Sequence, residues 1–184
     1  GMRQVGSISV ALTQARHEEL LRQATLARIL DVEVHEISPT DVKAMYPHLN
    51  VSDVVGAVHL PLAGQCDPAN IAMALAKGAR MRGALIFEGV KVTKVIEAEK
   101  RVTGVNYIDG NGVEGHIAAD VVVNCGGMWG RDLAAQNNVT LPLHACEHFY
   151  LVTEPIEGLS RLPVLRVPDE CAYYKEDAGK MMLG

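Results

Sequence analysis

The chain has 184 residues, 48% of them hydrophobic and 21% charged, enough for one sizeable core or two small layers, and this composition excludes a disordered or collagen-like polypeptide. Lys and Arg number 17 against 22 Asp and Glu, for a formal charge of −5, and no basic block interleaves with aromatics, so a nucleic-acid partner is not expected. Apolar runs such as Val121-Val122-Val123 are far too short to span a bilayer, and the residues after Gly1-Met2, where Gly1 reads as a cloning remnant, lack the order of a signal peptide. Cys66, Cys125, Cys146 and Cys171 are widely spaced without a CxxC pair, which predicts reduced thiols and a cytoplasmic setting, or the mitochondrial matrix in a eukaryote.

In chain order, Val5 to Leu12 alternates apolar and small polar residues, as a half-buried strand does. Thr13 can cap a helix from Gln14 to Leu30, with Leu20, Leu21, Ala24, Leu26, Ala27 and Leu30 predicted on its inner face and His17, Glu18, Glu19, Arg22 and Arg28 in water. Val34–Ile37 reads as a short strand, Ser38-Pro39-Thr40-Asp41 as a capped helix start, and Val54–Leu60 as another strand. Asp67-Pro68 repeats the helix-start chemistry, and Ile71, Leu75, Ala79 and Met81 predict an apolar stripe packed on a sheet.

Strands are predicted at Ala84–Phe87, Val90–Glu97, Arg101–Ile108 and Val113–Ile117. Gly110-Asn-Gly112-Val-Glu-Gly115 matches the spacing of a dinucleotide fingerprint, but strand-like residues flank it on both sides, so a hairpin turn is predicted instead. Asp120–Asn124 is nearly continuous β-branched sequence, as a strand buried on both faces requires, and it delivers Gly126-Gly127-Met128-Trp129 to a helix start. Such a turn lets a ligand approach backbone N–H groups, or simply joins strand to helix with Trp129 in the core. His144, Cys146 and His148 would share one face of a strand, but three ligands on one strand close a tetrahedron poorly, and no metal site is predicted. Tyr173 and Tyr174 should point to opposite faces of a strand, one toward a cavity and one into packing. The order of elements predicts a mixed α/β (α+β) fold of two interleaved partial layers.

Gly64-Gln-Cys-Asp-Pro68, Gly83-Ala-Leu-Ile-Phe-Glu88, Val121-Val-Val-Asn-Cys-Gly-Gly-Met-Trp129, Leu141-Pro-Leu-His144, His148-Phe-Tyr-Leu-Val-Thr153, Leu162-Pro-Val-Leu-Arg166 and Tyr173-Tyr174 stand in an order that resembles the FAD-dependent amine oxidoreductases of the D-amino-acid oxidase superfamily. The likeness spans nearly the whole chain and is greatest to the dimethylglycine and sarcosine dehydrogenases. It implies a partial parallel FAD-binding layer interleaved with a partial antiparallel substrate-binding sheet, with residues 61–140 in the former and 1–60 and 141–184 in the latter. It also implies that Val92 lies on the strand whose backbone meets the adenine, and that Cys125, Gly126, Gly127 and Trp129 form the turn passing the flavin's diphosphate or ribityl chain. His148 and Tyr173 match the pair that orients an N-methyl amino acid substrate and handles its amine proton while hydride passes to the flavin. Cys125-Gly126 stands where the family usually has Ala-Ala, and Phe149 replaces the commoner Gln.

The family's opening βαβ unit with its phosphate-binding glycines, its flavin-linked histidine and its closing strand and helix have no counterpart in this sequence. The chain is therefore expected to be an internal segment of a larger enzyme, to bind FAD weakly or not at all by itself, and to self-associate through exposed layer edges. The regulatory subunit of pyruvate dehydrogenase phosphatase shares the same general plan, which keeps a non-catalytic regulatory or binding protein as the rival expectation.

Overall fold

The computed structural model describes residues 1–159 and 161–184. In chain order the elements are β1 (Met2–Arg3), β2 (Ser7–Ala11), α1 (Gln14–Ile29), β3 (His35–Ile37), α2 (Pro39–Met45), β4 (Gly56–Leu60), β5 (Gln65–Cys66), α3 (Pro68–Met81), β6 (Lys91–Ala98), β7 (Arg101–Ile108), β8 (Glu114–Ala118), α4 (Gly130–Ala135), β9 (Leu151–Val152), β10 (Val164–Val167), β11 (Ala172–Asp177) and β12 (Lys180–Leu183). The fold is mixed α/β, as the order of sequence patterns implies.

Two compact units form, one from residues 1–75 with 148–184 and one from 76–147, so the sequence division falls inside α3 and again just before His148. The first unit holds a seven-stranded mixed sheet in the order β3-β4-β2-β10-β11-β12-β9. Among the described residues its one parallel pair is β2 with β10, registered through Ile8 and Leu165, and the other neighbours are antiparallel.

Strand alternation sorts the core onto both faces of this sheet. Ile8, Val10, Ala57, Leu165 and Val167 turn to the face that carries Val42 of α2 and Tyr46 just after it, while Ala11 and Val58 turn to the face covered by Leu20 and Ala24 of α1. Local chemistry fixes both helices. The Thr13 hydroxyl accepts from the Arg16 N–H at 3.2 Å, and at α2 the Ser38 side chain and the Asp41 carboxylate satisfy each other's backbone N–H groups ahead of Pro39 at the first turn.

The inner face of α1 differs from the expected one. Leu26 and Leu30 are exposed, whereas His17 is turned inward beside Gly56, its Nε2 3.4 Å from the Glu36 carboxylate. At 3.6 residues per turn, Leu26 stands about 200° around the helix from Ala24, while His17, Leu20 and Ala24 share one row.

The second unit is a three-stranded antiparallel meander, β6-β7-β8, followed by α4. The Gly110–Gly115 spacing forms the β7–β8 turn: Asp109 Oδ1 accepts from the N–H groups of Asn111 and Val113 at 2.9 and 2.8 Å, and Gly112 takes φ +81°. Two expected strands are not formed. Ala84–Phe87 and Val121–Asn124 run as irregular chain, with Leu85 81% exposed and Val121 and Val123 each 76% exposed. A β-branched run supplies propensity for a strand, but its N–H and C=O groups need a neighbouring strand, and neither segment is paired with one. α3 has no buried residue, so its Ile71, Leu75 and Met81 stripe is not packed on a sheet as expected.

Candidate functional site

In the second unit, Val92 near the start of β6, the Val122–Gly126 segment and the first residues around α4 enclose a cleft of about 720 Å³. Its lining brings together Val92, Cys125, Gly126 and Trp129, four of the five residues expected on the cofactor side; Gly127, the fifth, sits in the same turn but is not part of the lining. Trp129 is 71% exposed and is not packed in a core of this chain. The turn is a single 3-10 turn, Gly127–Trp129, with the Trp129 N–H donating to the Gly126 carbonyl at 3.0 Å, and it leads directly into α4.

Backbone geometry explains the two glycines differently. Gly127 takes φ +54° with open space where a Cβ would stand, so a ligand can reach its backbone. A Cβ on Gly126 would come within 3.1 Å of Asn124 Oδ1 and 3.3 Å of the Gly130 backbone, so a side chain there would press on the Asn124 amide and require it to give by a few tenths of an ångström.

Asn124 is the residue the sequence pattern missed, because it reads as the polar end of a valine strand. Its Oδ1 accepts from the Gly126 N–H at 3.1 Å and its Nδ2 donates to the Gly130 carbonyl at 2.8 Å. Asn137 plays a related part beyond α4, donating from Nδ2 to the Val95 carbonyl at 3.1 Å and to Glu97 Oε1 at 2.6 Å, which ties the end of α4 to β6.

In the first unit, the rings of His148 and Tyr173 stack with centroids 6.1 Å apart and planes 2° from parallel. Tyr173 is held in β11 by reciprocal backbone hydrogen bonds with Gly184 at 2.8 and 3.2 Å. Tyr174, its neighbour, packs against the buried core, so Tyr173 faces the other way, as the alternation predicts. An imidazole beside a phenol can accept, donate and relay a proton. Deeper in the same unit, burial, with Tyr174 and Glu176 nearby, pushes the Tyr46 phenol up to about 12, and its hydroxyl meets Met181 Sδ at 3.5 Å in a structural role.

The segment Leu143–His148 is irregular and exposed, so His144, Cys146 and His148 do not share a strand face. Among the described residues no three His, Cys, Asp or Glu side chains stand close enough to share a metal, and no helix is long and apolar enough to cross a membrane.

The family model described as "FAD dependent oxidoreductase" (DAO) matches residues 1–184, the whole chain. The chain belongs to the DAO family of FAD-dependent oxidoreductases. Mitochondrial sarcosine dehydrogenase of Homo sapiens is 33% identical over 189 residues, covering 100% of this chain and 20% of the relative. The mitochondrial pyruvate dehydrogenase phosphatase regulatory subunit of Mus musculus is 35% identical over 188 residues, with 100% of this chain and 21% of the relative covered. Among solved structures, L-proline dehydrogenase from P. horikoshii superposes with a TM-score of 0.78 at 22% identity, over 100% of this chain and 49% of that one. The chain thus spans about a fifth of the length of these curated relatives.

The cleft residues fit part of the family's cofactor. Val92, Val123 and Trp129 offer apolar surface to a planar ring system, and Gly126 brings bare backbone to the same lining. Among the described residues no G-x-G-x-x-G loop opens a helix, so the helix-borne diphosphate contact of dinucleotide sites is not supplied from here.

Proposed function

We propose that the protein carrying this chain oxidises an N-methylated amino acid of the dimethylglycine or sarcosine type to an imine, or to the iminium ion where the amine is tertiary, using FAD. The single observation that carries the reading is the gathering of Val92, Cys125, Gly126 and Trp129 around one cleft in a chain of an FAD-dependent family. In this reading Val92, Cys125, Gly126, Gly127 and Trp129 hold the cofactor. Bound flavin supplies the acceptor for the hydride that leaves the carbon beside the substrate nitrogen.

His148 and Tyr173 are the catalytic residues of the proposal. Oxidation needs the amine nitrogen's lone pair, so an ammonium substrate must first lose a proton. His148 accepts that proton, and the Tyr173 hydroxyl orients the substrate while its ring holds the imidazole in a stacked pose. Residues 61–140 serve the cofactor and residues 1–60 and 141–184 the substrate. The 184-residue chain alone binds FAD weakly or not at all and does not turn over, and the protein works in the cytoplasm or, in a eukaryote, the mitochondrial matrix, associating with copies of itself.

The test is anaerobic mixing of the full-length protein with dimethylglycine and with sarcosine while the visible flavin band is followed. Amine-dependent bleaching is expected, slowed by more than about tenfold in His148→Ala. An unchanged rate removes His148 from the mechanism. No bleaching by any amine favours the regulatory reading, which the 35% identity to the phosphatase regulatory subunit supports.

A further inference from the structure

Asn124 is the one side chain in the second unit that closes both ends of the glycine turn. The turn begins where Val121–Asn124 carries no strand partner, so its backbone has no ladder to fix its direction. Asn124 substitutes for that ladder with one amide: Oδ1 takes the Gly126 N–H two residues ahead, and Nδ2 gives to the Gly130 carbonyl six residues ahead. The two bonds use opposite halves of the amide, an acceptor and a donor, at the same time. They span the whole Gly126–Trp129 segment, and Asn124 itself lines the cleft together with Cys125, Gly126 and Trp129. Gly126 completes the arrangement, since a Cβ there would stand 3.1 Å from Asn124 Oδ1.

We propose that Asn124 is a positioning residue that holds the glycine turn in its FAD-receiving shape, with Gly126 kept free of a side chain so that the amide can close on it. The proposal rests on the cleft being the FAD site. It makes a chemical demand that few side chains meet. Aspartate keeps the acceptor but, when ionised, sets a carboxylate against the Gly130 carbonyl; once protonated, its carboxyl is again a donor and an acceptor of the amide's shape. Alanine keeps neither function.

The experiment measures FAD dissociation constants for full-length wild type, Asn124→Ala and Asn124→Asp, with the apoprotein melting midpoint recorded for each. Losing two hydrogen bonds of ordinary strength should weaken FAD binding by about tenfold or more in Asn124→Ala. Asn124→Asp should be as weak, because its ionised carboxylate keeps the acceptor but repels the Gly130 carbonyl, while the apoprotein melting midpoints stay near that of wild type, a split that general loss of structure does not produce. Weak binding by a well-folded Asn124→Asp supports the proposal even where Asn124→Ala folds poorly.

Wild-type binding with Asn124→Ala within about twofold of it overturns the proposal and leaves the FAD cleft standing. So does an Asn124→Asp affinity equal to that of wild type. Failure of wild type to bind FAD overturns both. Addition of Gly126→Ala sharpens the result: if the two residues act through one contact, the double variant should lose less than the product of the single losses.

Discussion

The two units of this molecule contrast in how their apolar residues are used. In the first, a seven-stranded sheet buries Ile8, Val10 and Leu165 to 1% exposure or less, with a helix on each face. In the second, Gly104 and Gly130 are the buried residues of positions 76–147, and valines of high strand propensity stand in solvent beside the candidate cleft. The difference teaches that propensity becomes structure where a partner is present: Ser7–Ala11 and Val121–Asn124 are both β-rich, and the first is a strand because β4 and β10 flank it.

The largest effect that can break this comparison is a truncation made in both units. Leu165→Ala should destabilise the first unit by about 2–5 kcal/mol, because it opens a cavity in a filled core. Val123→Ala should change stability by about 0.5 kcal/mol or less, since its side chain is already in water. Chemical denaturation of the two variants decides the matter, and equal losses would mean that Val123 is packed in the working protein.

Acid should next separate the units. Burial alone would raise the Glu176 carboxyl, but the Gly179 N–H at 3.0 Å and the Arg3 guanidinium at 2.7 Å outweigh it and hold it below its ordinary value. Asp169 is likewise held low, chiefly by the Leu12 N–H at 2.9 Å and further by the Arg16 guanidinium. A carboxyl depressed in the folded state contributes stability above its unfolded pKa and loses it as pH falls through the folded one. The melting midpoint of the first unit should therefore hold steady down to about pH 4.5 and fall below it, and Glu176→Gln should flatten part of that fall. A midpoint independent of pH between 7 and 3 would contradict the ion-paired assignment.

The smallest of these effects probes the second unit's own order. Gly112→Ala meets no atom within 4 Å but must adopt φ +81°, which should cost about 1 kcal/mol and be visible as faster amide exchange across β7 and β8 with the first unit unchanged.

What the sequence made legible follows the range of the interactions. Ser38-Pro39-Thr40-Asp41, Thr13 and the Asp109–Gly112 turn are set by neighbours within a few residues, and each forms as its chemistry dictates. The alternation of Tyr173 and Tyr174 is also local, and it put the tyrosines on opposite faces. Val121–Asn124 and Ala84–Phe87 failed because strand pairing is not a local property. Leu26 is exposed for a different reason: it lies about 200° around the helix from Ala24, and the row of Leu20 and Ala24 continues to His17 instead.

The candidate site was legible in part through Gly126, Gly127 and Trp129, whose spacing announces a turn, and through the ordered family motifs. Asn124 was not, since an asparagine closing a valine run gives no sign of bonding two and six residues ahead until the turn is folded. The same holds for Asn137, whose partners lie about forty residues away on β6.

Whether the proposed cleft receives FAD is read in one visible absorption spectrum of the purified full-length protein, taken after FAD is added and the excess removed. A yellow protein with close to one flavin retained per chain is expected, with less flavin retained by Asn124→Ala. A colourless wild-type protein would contradict that reading of the cleft.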